Sequence, residues 1–177
     1  MARSVREAFA VVAACCTGCA ALAASKPWGG GQGASKPPRE LLGRGAYAHF
    51  ETIPTRWNDM DAQQHVNNAV YHFYIDDAVN LHLSRNGVSN DVRRFTSENS
   101  CRYLRQLSWP TPVKVGMRVR LGRASAAYQL GLFAENDEDA SAIATFTHIY
   151  VDARGKPCRM DESVRTALEP LVPDDGL

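Results

Sequence analysis

The alternation of apolar and polar residues in the second half of the chain predicts a sheet. In the segment Val113–Leu121 every odd-numbered residue is apolar, and its even-numbered neighbours are lysine, glycine or arginine. This period of two is typical of a strand with one buried face. Similar strand patterning is found at residues 47–57, 95–104, 125–135 and 140–152. About five strands are therefore predicted, and Pro54 places the first of them at an edge or a bulge.

One long helical segment lies between the first strand and the others. Apolar residues recur at intervals of three and four from Val70 to Leu81, and Gly87 supplies a stop. A helix over residues 68–85 is predicted, about 27 Å long at 1.5 Å per residue. In so small a domain, a sheet wrapped around this helix buries the apolar faces of both. A short closing helix is predicted near residues 161–168.

The beginning of the chain differs in composition from the rest. Residues 1–24 contain two arginines followed by an uncharged, largely apolar run, which is typical of a secretory signal or a membrane anchor, with a mitochondrial presequence as the alternative. Residues 25–45 are rich in Gly, Pro and Ser and predict a flexible linker. Residues 46–177 then form the folded domain. We expect the first segment to direct the chain to a mitochondrion or the endomembrane system, and any membrane attachment to depend on its retention.

Charge and cysteine content exclude some classes of function. Residues 46–177 carry fourteen Lys/Arg and seventeen Asp/Glu, and this mildly acidic balance argues against a nucleic-acid partner. Only two of the five cysteines, Cys101 and Cys158, lie in this part of the chain, and their spacing is not that of metal ligands. The histidines that show no ligand spacing with one another are His49, His72, His82 and His148. No metal site is predicted.

The densest group of polar residues lies directly before the long helix, in the segment TRWNDMDAQQHVNNAVYHFY from Thr55 to Tyr74. It contains a D-x-D pair followed by H-V-N-N. Acidic residues at 76–77, the sequence RYLR at 102–105 and Gly116 extend the pattern. Together these motifs resemble the hotdog-fold acyl-CoA thioesterases of the 4-hydroxybenzoyl-CoA thioesterase-like branch, over about residues 47–168.

The resemblance implies an α+β hotdog fold, in which an antiparallel sheet of about five strands wraps around one long central helix. It implies an enzyme of lipid metabolism that hydrolyses the thioester of a fatty or aromatic acyl-CoA to a free acid and coenzyme A. Coenzyme A would enter only as part of the substrate, without a metal or another cofactor. A homodimer or homotetramer with active sites between subunits is expected.

Thioester hydrolysis requires a base or nucleophile beside the carbonyl carbon and hydrogen-bond donors beside the carbonyl oxygen. By resemblance, Asp61 supplies the catalytic carboxylate, as nucleophile or as general base, and the backbone N–H of Asn68 binds the thioester oxygen. His65 is expected to position the loop or the substrate. Asp77, on the long helix, is the reserve catalytic carboxylate. Read without the resemblance, such aspartates and asparagines are also common helix caps, which is the simplest role for Asn67.

The candidate substrate contacts are less specific. Asn67 belongs to the H-V-N-N motif and Tyr71 lies three residues after it. Four basic residues are candidates for binding the phosphates of coenzyme A. These are Arg123, Arg154, Lys156 and Arg159. Two positions depart from the family pattern: Gln64 stands where many relatives have glycine, and Val79 stands where many have arginine.

Two other functions stay open. A non-catalytic acyl-binding protein could retain the same fold. A hotdog hydratase or dehydratase pairs an aspartate with a histidine five positions later, whereas His65 follows Asp61 by four positions and Asp59 by six. This spacing disfavours hydration chemistry.

Overall fold

The computed structural model describes residues 36–173, and the predictions for residues 1–24 lie outside this range. The strands are β1 (His49–Ile53), β2 (Arg94–Tyr103), β3 (Val113–Leu121), β4 (Ser125–Ala134) and β5 (Ala142–Tyr150). The helices are α1 (Asn68–Arg85) and α2 (Glu162–Leu168). Short 3₁₀ turns occur at Arg39–Leu41, Arg44–Ala46, Trp57–Asp59 and Glu169–Leu171. Within the described range, no helix is both long and apolar enough to cross a membrane.

The five strands form one antiparallel sheet in the order β1-β3-β4-β5-β2. Helix α1 packs across one face of this sheet, so the predicted hotdog architecture is confirmed. The buried side of α1, which includes Tyr74, Ile75 and Leu83, meets the odd-numbered side chains of β3. Burying one such side chain fully contributes roughly 1.5–3 kcal/mol to the free energy of folding. Because the apolar residues gain this energy only when they face the core, their period along the sequence predicts which faces of α1 and β3 pack together.

The opposite face of the sheet is covered by the segment before β1. Tyr47 lies over Gly116 and Gly131, which pair directly across β3 and β4. A Cβ atom on either glycine would approach the Tyr47 ring to 2.7 Å, so only glycine leaves room for this ring. The Tyr47 hydroxyl donates to the Leu41 carbonyl at 2.8 Å, and Leu41 is itself buried. The packed unit therefore begins before residue 46, inside the segment predicted to be a linker.

Candidate active site

The D-x-D…H-V-N-N segment folds into a small hairpin that leads into α1. The Asn67 N–H donates to the Asp59 carbonyl at 2.9 Å, and the Asp61 N–H donates to the His65 carbonyl at 2.8 Å. The intervening residues Met60 and Val66 form an isolated antiparallel bridge. This hairpin, residues 59–67, is called the motif loop below. It holds Asp61 close to the first turn of α1, because the Asp59–Asn67 pair joins the two arms.

The turn of the motif loop contains Gln64, where the resemblance to the family implies glycine. Gln64 has a φ of +65°, in the left-handed region that favours glycine. Its N–H donates to the Asp61 carbonyl at 3.1 Å. The loop therefore keeps the backbone conformation suited to glycine, with a side chain that adds strain.

Asp61 is half-buried, and its two carboxylate oxygens differ in their surroundings. Oδ1 accepts the N–H of Gln63 at 2.8 Å and the N–H of His65 at 3.3 Å. No donor among residues 36–173 is bonded to Oδ2. One oxygen thus fixes the orientation of the carboxylate, and the other is available to react.

The first turn of α1 presents one backbone donor beside this loop. The Asn67 side chain caps the helix by accepting the Ala69 N–H at 2.9 Å, and the Asn67 carbonyl accepts the Val70 N–H at 2.8 Å. Among the described residues, no acceptor is bonded to the Asn68 N–H. This amide lies at the positive end of the helix dipole, which favours a carbonyl oxygen that gains negative charge.

Asp59 fixes the motif loop through hydrogen bonds to Arg56 and to Tyr74 of α1. It is buried, and its Oδ2 accepts the Tyr74 hydroxyl and the Arg56 N–H, both at 2.7 Å. The Arg56 guanidinium also pairs with Oδ1 at 3.2 Å. Burial and the adjacent carboxylate raise the pKa of Tyr74 well above its usual range, so the phenol remains a donor. These bonds give the buried Asp59 a structural role, whereas Asp61 is only half-buried.

Two aromatic pairs flank the motif loop. Trp57 and Trp109 are 63% and 45% exposed, and their rings meet edge to face at 5.6 Å. The backbone N–H of Trp109 donates to the Met60 sulfur at 3.3 Å. On the other side, the Tyr103 hydroxyl donates to the Asn68 carbonyl at 2.9 Å. Trp109 and Tyr103 were not predicted as site residues, because both are distant in sequence and come near the loop only through the fold.

Tyr71 is a candidate substrate contact whose ring is largely buried. It packs edge to face against Tyr103, with ring centroids 5.0 Å apart. Burial raises the pKa of Tyr71 to about 12. Tyr103 carries the more exposed of the two rings, so it presents the accessible phenol at the start of α1.

The reserve carboxylate lies away from the motif loop. Asp77 is exposed and follows Asn68 by nine residues, which corresponds to about 14 Å along the helix axis. It borders a cleft of about 540 Å³ together with Asn80 and Arg94. Asp76 beside it has a raised pKa, chiefly because the carboxyl is desolvated. The structure therefore separates Asp77 along the helix from Asn68 and the motif loop.

The four basic candidates lie at the far end of the sheet. Arg123 is in the turn between β3 and β4, and its carbonyl accepts the Met160 N–H at 2.9 Å, which brings Arg159 nearby. Arg154 and Lys156 belong to the turn after β5. The motif loop contacts the other end of the sheet, before β3. At roughly 3.4 Å per residue, a nine- or ten-residue strand separates the two ends by about 30 Å.

Comparison with known proteins identifies the family of the chain. The family model described as the thioesterase-like superfamily matches residues 55–168. A search of curated proteins found no significant match.

Solved structures resemble the chain over most of their length. The PA5185 protein from Pseudomonas aeruginosa strain PAO1 is 36% identical, with a TM-score of 0.72, and the match covers 75% of this chain and 97% of that chain. A thioesterase from Thermus thermophilus, complexed with coenzyme A and Zn, is 27% identical, with a TM-score of 0.60 and coverage of 71% and 94%.

A more distant neighbour shares the fold alone. Slr0204, a 1,4-dihydroxy-2-naphthoyl-CoA thioesterase from Synechocystis, is 12% identical, with a TM-score of 0.63 and coverage of 67% and 93%. The family match spans well over half of the chain and includes the motif loop, α1 and every strand from β2 to β5. The chain belongs to the thioesterase-like superfamily.

Proposed function

We propose that the protein is an acyl-CoA thioesterase in which Asp61 and the Asn68 amide act on the thioester. The observation that carries this proposal is the pairing of a half-exposed carboxylate, fixed through one oxygen only, with an open helix N-terminal N–H a few residues away. The coenzyme A bound by the Thermus neighbour supports the class of substrate.

The chemistry follows from these two groups. The Asn68 N–H donates to the thioester carbonyl oxygen and stabilises the negative charge that develops there. The Asp61 carboxylate either attacks the carbonyl carbon or removes a proton from the attacking water. In both routes water supplies the new oxygen of the acid, and the departing sulfur takes up a proton to leave as free coenzyme A. His65 positions Asp61 through its backbone N–H.

A second copy of the chain completes the site in this proposal. Strand β2 is an edge strand of ten residues that pairs only with β5 in the sheet as described. An edge this long, with Phe95 61% exposed and Tyr103 40% exposed, is a ready surface for pairing with another strand. Phe73 of α1 is also exposed on the molecule's surface. A twofold pair of β2 strands would give a homodimer, and pairs of dimers would give a tetramer.

Antiparallel pairing of two β2 strands would also place two of the four basic candidates, Arg154 and Lys156, where they could bind substrate. Tyr103, beside Asn68, is at one end of β2, and Arg94 is at the end that pairs with Tyr150. The twofold axis would bring the Arg94 end of one copy to the Tyr103 end of the other. Arg154 and Lys156 lie beyond Tyr150, so in the dimer they would approach the motif loop of the neighbouring copy. This arrangement would let them bind the phosphates of coenzyme A while Asp61 acts on the thioester.

The activity is tested with the full chain on a panel of straight-chain and aromatic acyl-CoAs. On the best substrate, Asp61→Asn should lower kcat by about 10²–10⁴-fold, the range for a lost acid–base group, with little change in acyl-CoA affinity. Asp77→Asn is the matched control and should retain most of the activity. Near-normal turnover by Asp61→Asn contradicts the mechanism, and tight binding without turnover by the parent would instead indicate an acyl-binding protein.

The assembly is tested by the mass of the full chain in solution, measured by light scattering. Phe95→Lys places a charge on the β2 edge and should shift the protein toward monomer with a loss of activity. Val172→Lys adds the same charge at an exposed apolar residue outside β2 and should leave the mass unchanged. A fully active monomer contradicts the proposed dimer.

A further inference from the structure

A second polar cluster lies at the other end of α1. His49 and Glu51 are two residues apart on one face of β1, and His82 lies on the last turns of α1. One potential ligand atom from each residue lies within 4.8 Å of the other two. His82 follows Asn68 by fourteen residues, or about 21 Å along the helix. The cluster is therefore distinct from the proposed thioesterase site of the same chain.

The hydrogen bonds of His82 prepare it as a metal ligand. Its Nε2 lies 3.0 Å from the Ala167 carbonyl, which can only accept, so Nε2 carries the proton. Its Nδ1 then holds a lone pair, and this atom is buried without a hydrogen-bond partner among the described residues. His82 as a whole is only 5% exposed. A histidine whose other ring N–H donates to a backbone carbonyl is the usual arrangement of a metal ligand.

Glu51 and His49 supply the remaining ligands. Glu51 is 2% exposed, and a buried carboxylate requires a positive partner or several donors. His49 Nε2 contacts Glu51 Oε1 at 3.0 Å, and the Arg85 guanidinium pairs with the other oxygen. Both the His49 and Arg85 side chains reach solvent. A cation can therefore enter from the His49 side, and Arg85 can swing outward as it is displaced.

We propose that His49, Glu51 and His82 bind a divalent transition-metal ion such as Zn²⁺ in competition with Arg85. Two imidazoles and one carboxylate form a donor set that suits Zn²⁺, with room for a water as fourth ligand. On binding, the ion takes the place of the proton between His49 and Glu51 and of the Arg85 guanidinium. The site links β1 to α1, so occupancy stabilises the folded chain by mass action.

The test uses the full chain with Cys15, Cys16 and Cys19 replaced by serine, so that thiols near the N-terminus do not bind the probe. Zn²⁺ binding is measured by isothermal titration calorimetry, and the change in Tm by calorimetric melting. The parent should bind one Zn²⁺ per chain. His49→Ala and Glu51→Gln should each weaken binding at least about tenfold, and both should lose the Zn²⁺-dependent rise in Tm.

Two further variants keep the result decisive. Arg85→Gln should bind Zn²⁺ more tightly than the parent, because it removes the cation that competes for Glu51 without removing a ligand. His72→Ala removes a histidine of the same helix that pairs with Asn99 instead, and should leave Zn²⁺ binding unchanged. Equal binding by the parent, His49→Ala and Glu51→Gln overturns the proposal. So does the absence of binding by both the parent and Arg85→Gln.

Discussion

Asp61 and His65 hold each other across the turn of the motif loop. The Asp61 N–H donates to the His65 carbonyl at 2.8 Å, and the His65 N–H donates back to the Asp61 carboxylate at 3.3 Å. The bonds use the backbone of His65, so its imidazole is not required to hold the loop. The geometry of Asp61 therefore depends on the conformation of the loop more than on any single side chain around it.

Removing the Tyr74 hydroxyl should test whether activity depends on the conformation of the motif loop. Tyr74→Phe leaves the buried Asp59 carboxylate without the donor at 2.7 Å. The free energy of unfolding should fall by about 1–3 kcal/mol, the range for a buried group that loses its partner. Activity should fall as well, because Asp59 joins the two arms of the loop. Urea unfolding and steady-state kinetics on the same preparation check both effects, and unchanged values for both would show that Asp59 does not need this bond.

Gln64 should respond in opposite directions to two substitutions. Gln64→Gly removes a side chain from a residue with φ of +65°. The strain of roughly 1–2 kcal/mol is then relieved, offset by the roughly 0.5–1 kcal/mol that glycine's flexibility costs, so stability should be equal or up to about 1.5 kcal/mol higher. Gln64→Val introduces a β-branched residue that strongly disfavours this φ and should destabilise the loop. Urea unfolding of both variants is the measurement, and a glycine variant less stable than the valine variant contradicts the prediction.

Gly116 and Gly131 form a slot that holds the Tyr47 ring. Adding even one methyl group at Gly131 should therefore destabilise the fold. In Gly131→Ala the new Cβ would approach the Tyr47 and Phe133 rings to 2.7 Å. The expected loss is about 1–3 kcal/mol, typical of overpacking. Gly43→Ala is the control, because nothing lies within 4 Å of its Cβ position. Chemical unfolding compares the two, and similar losses would mean that Tyr47 can move aside at little cost.

Acid should weaken the fold through His148. Burial, together with the positive charge of Arg94, lowers the pKa of His148 from 6.5 to about 4. The unfolded chain therefore binds a proton over this interval while the folded chain does not. Stability is full above about pH 6.5 and falls toward pH 4, by an amount on the order of 3 kcal/mol.

The variant His148→Leu isolates this contribution. Its stability should fall less between pH 6.5 and pH 4 than that of the parent, because the titrating group has been removed. Urea unfolding at several pH values provides the comparison. Parallel pH dependences for the two proteins would assign the acid sensitivity to other groups.

The sequence predicts those parts of the architecture that depend on residues close together in the chain. Helix α1 and strand β3 begin and end at the predicted residues, because the period of their apolar residues indicates both the type of element and its buried face. The packing of Tyr47 could not be predicted in this way. Gly116 and Gly131 are separated by fourteen residues and form a slot only when β3 pairs with β4 in this register.

The two candidate sites also differ in whether their residues are close together or far apart in the sequence. Asp61, His65 and Asn68 come together because they are close in the chain, and the motif loop needs only local hydrogen bonds. His49 and His82 are 33 residues apart, yet their ring centroids are 4.8 Å from each other. Spacing along the sequence indicates ligands that lie on one element, whereas these two meet because β1 crosses the end of α1.

The two tryptophans beside the motif loop should allow substrate binding to be followed by intrinsic fluorescence. Trp57 and Trp109 are exposed on the molecule's surface, and Trp109 is tied to Met60, one residue before Asp61. An acyl chain or a neighbouring subunit that covers them would change the polarity around both rings. Their fluorescence should then shift toward the blue as acyl-CoA is added, once Trp28, the only other tryptophan, is replaced by phenylalanine. Substrate binding and turnover could thus be followed separately in a single cuvette without a label.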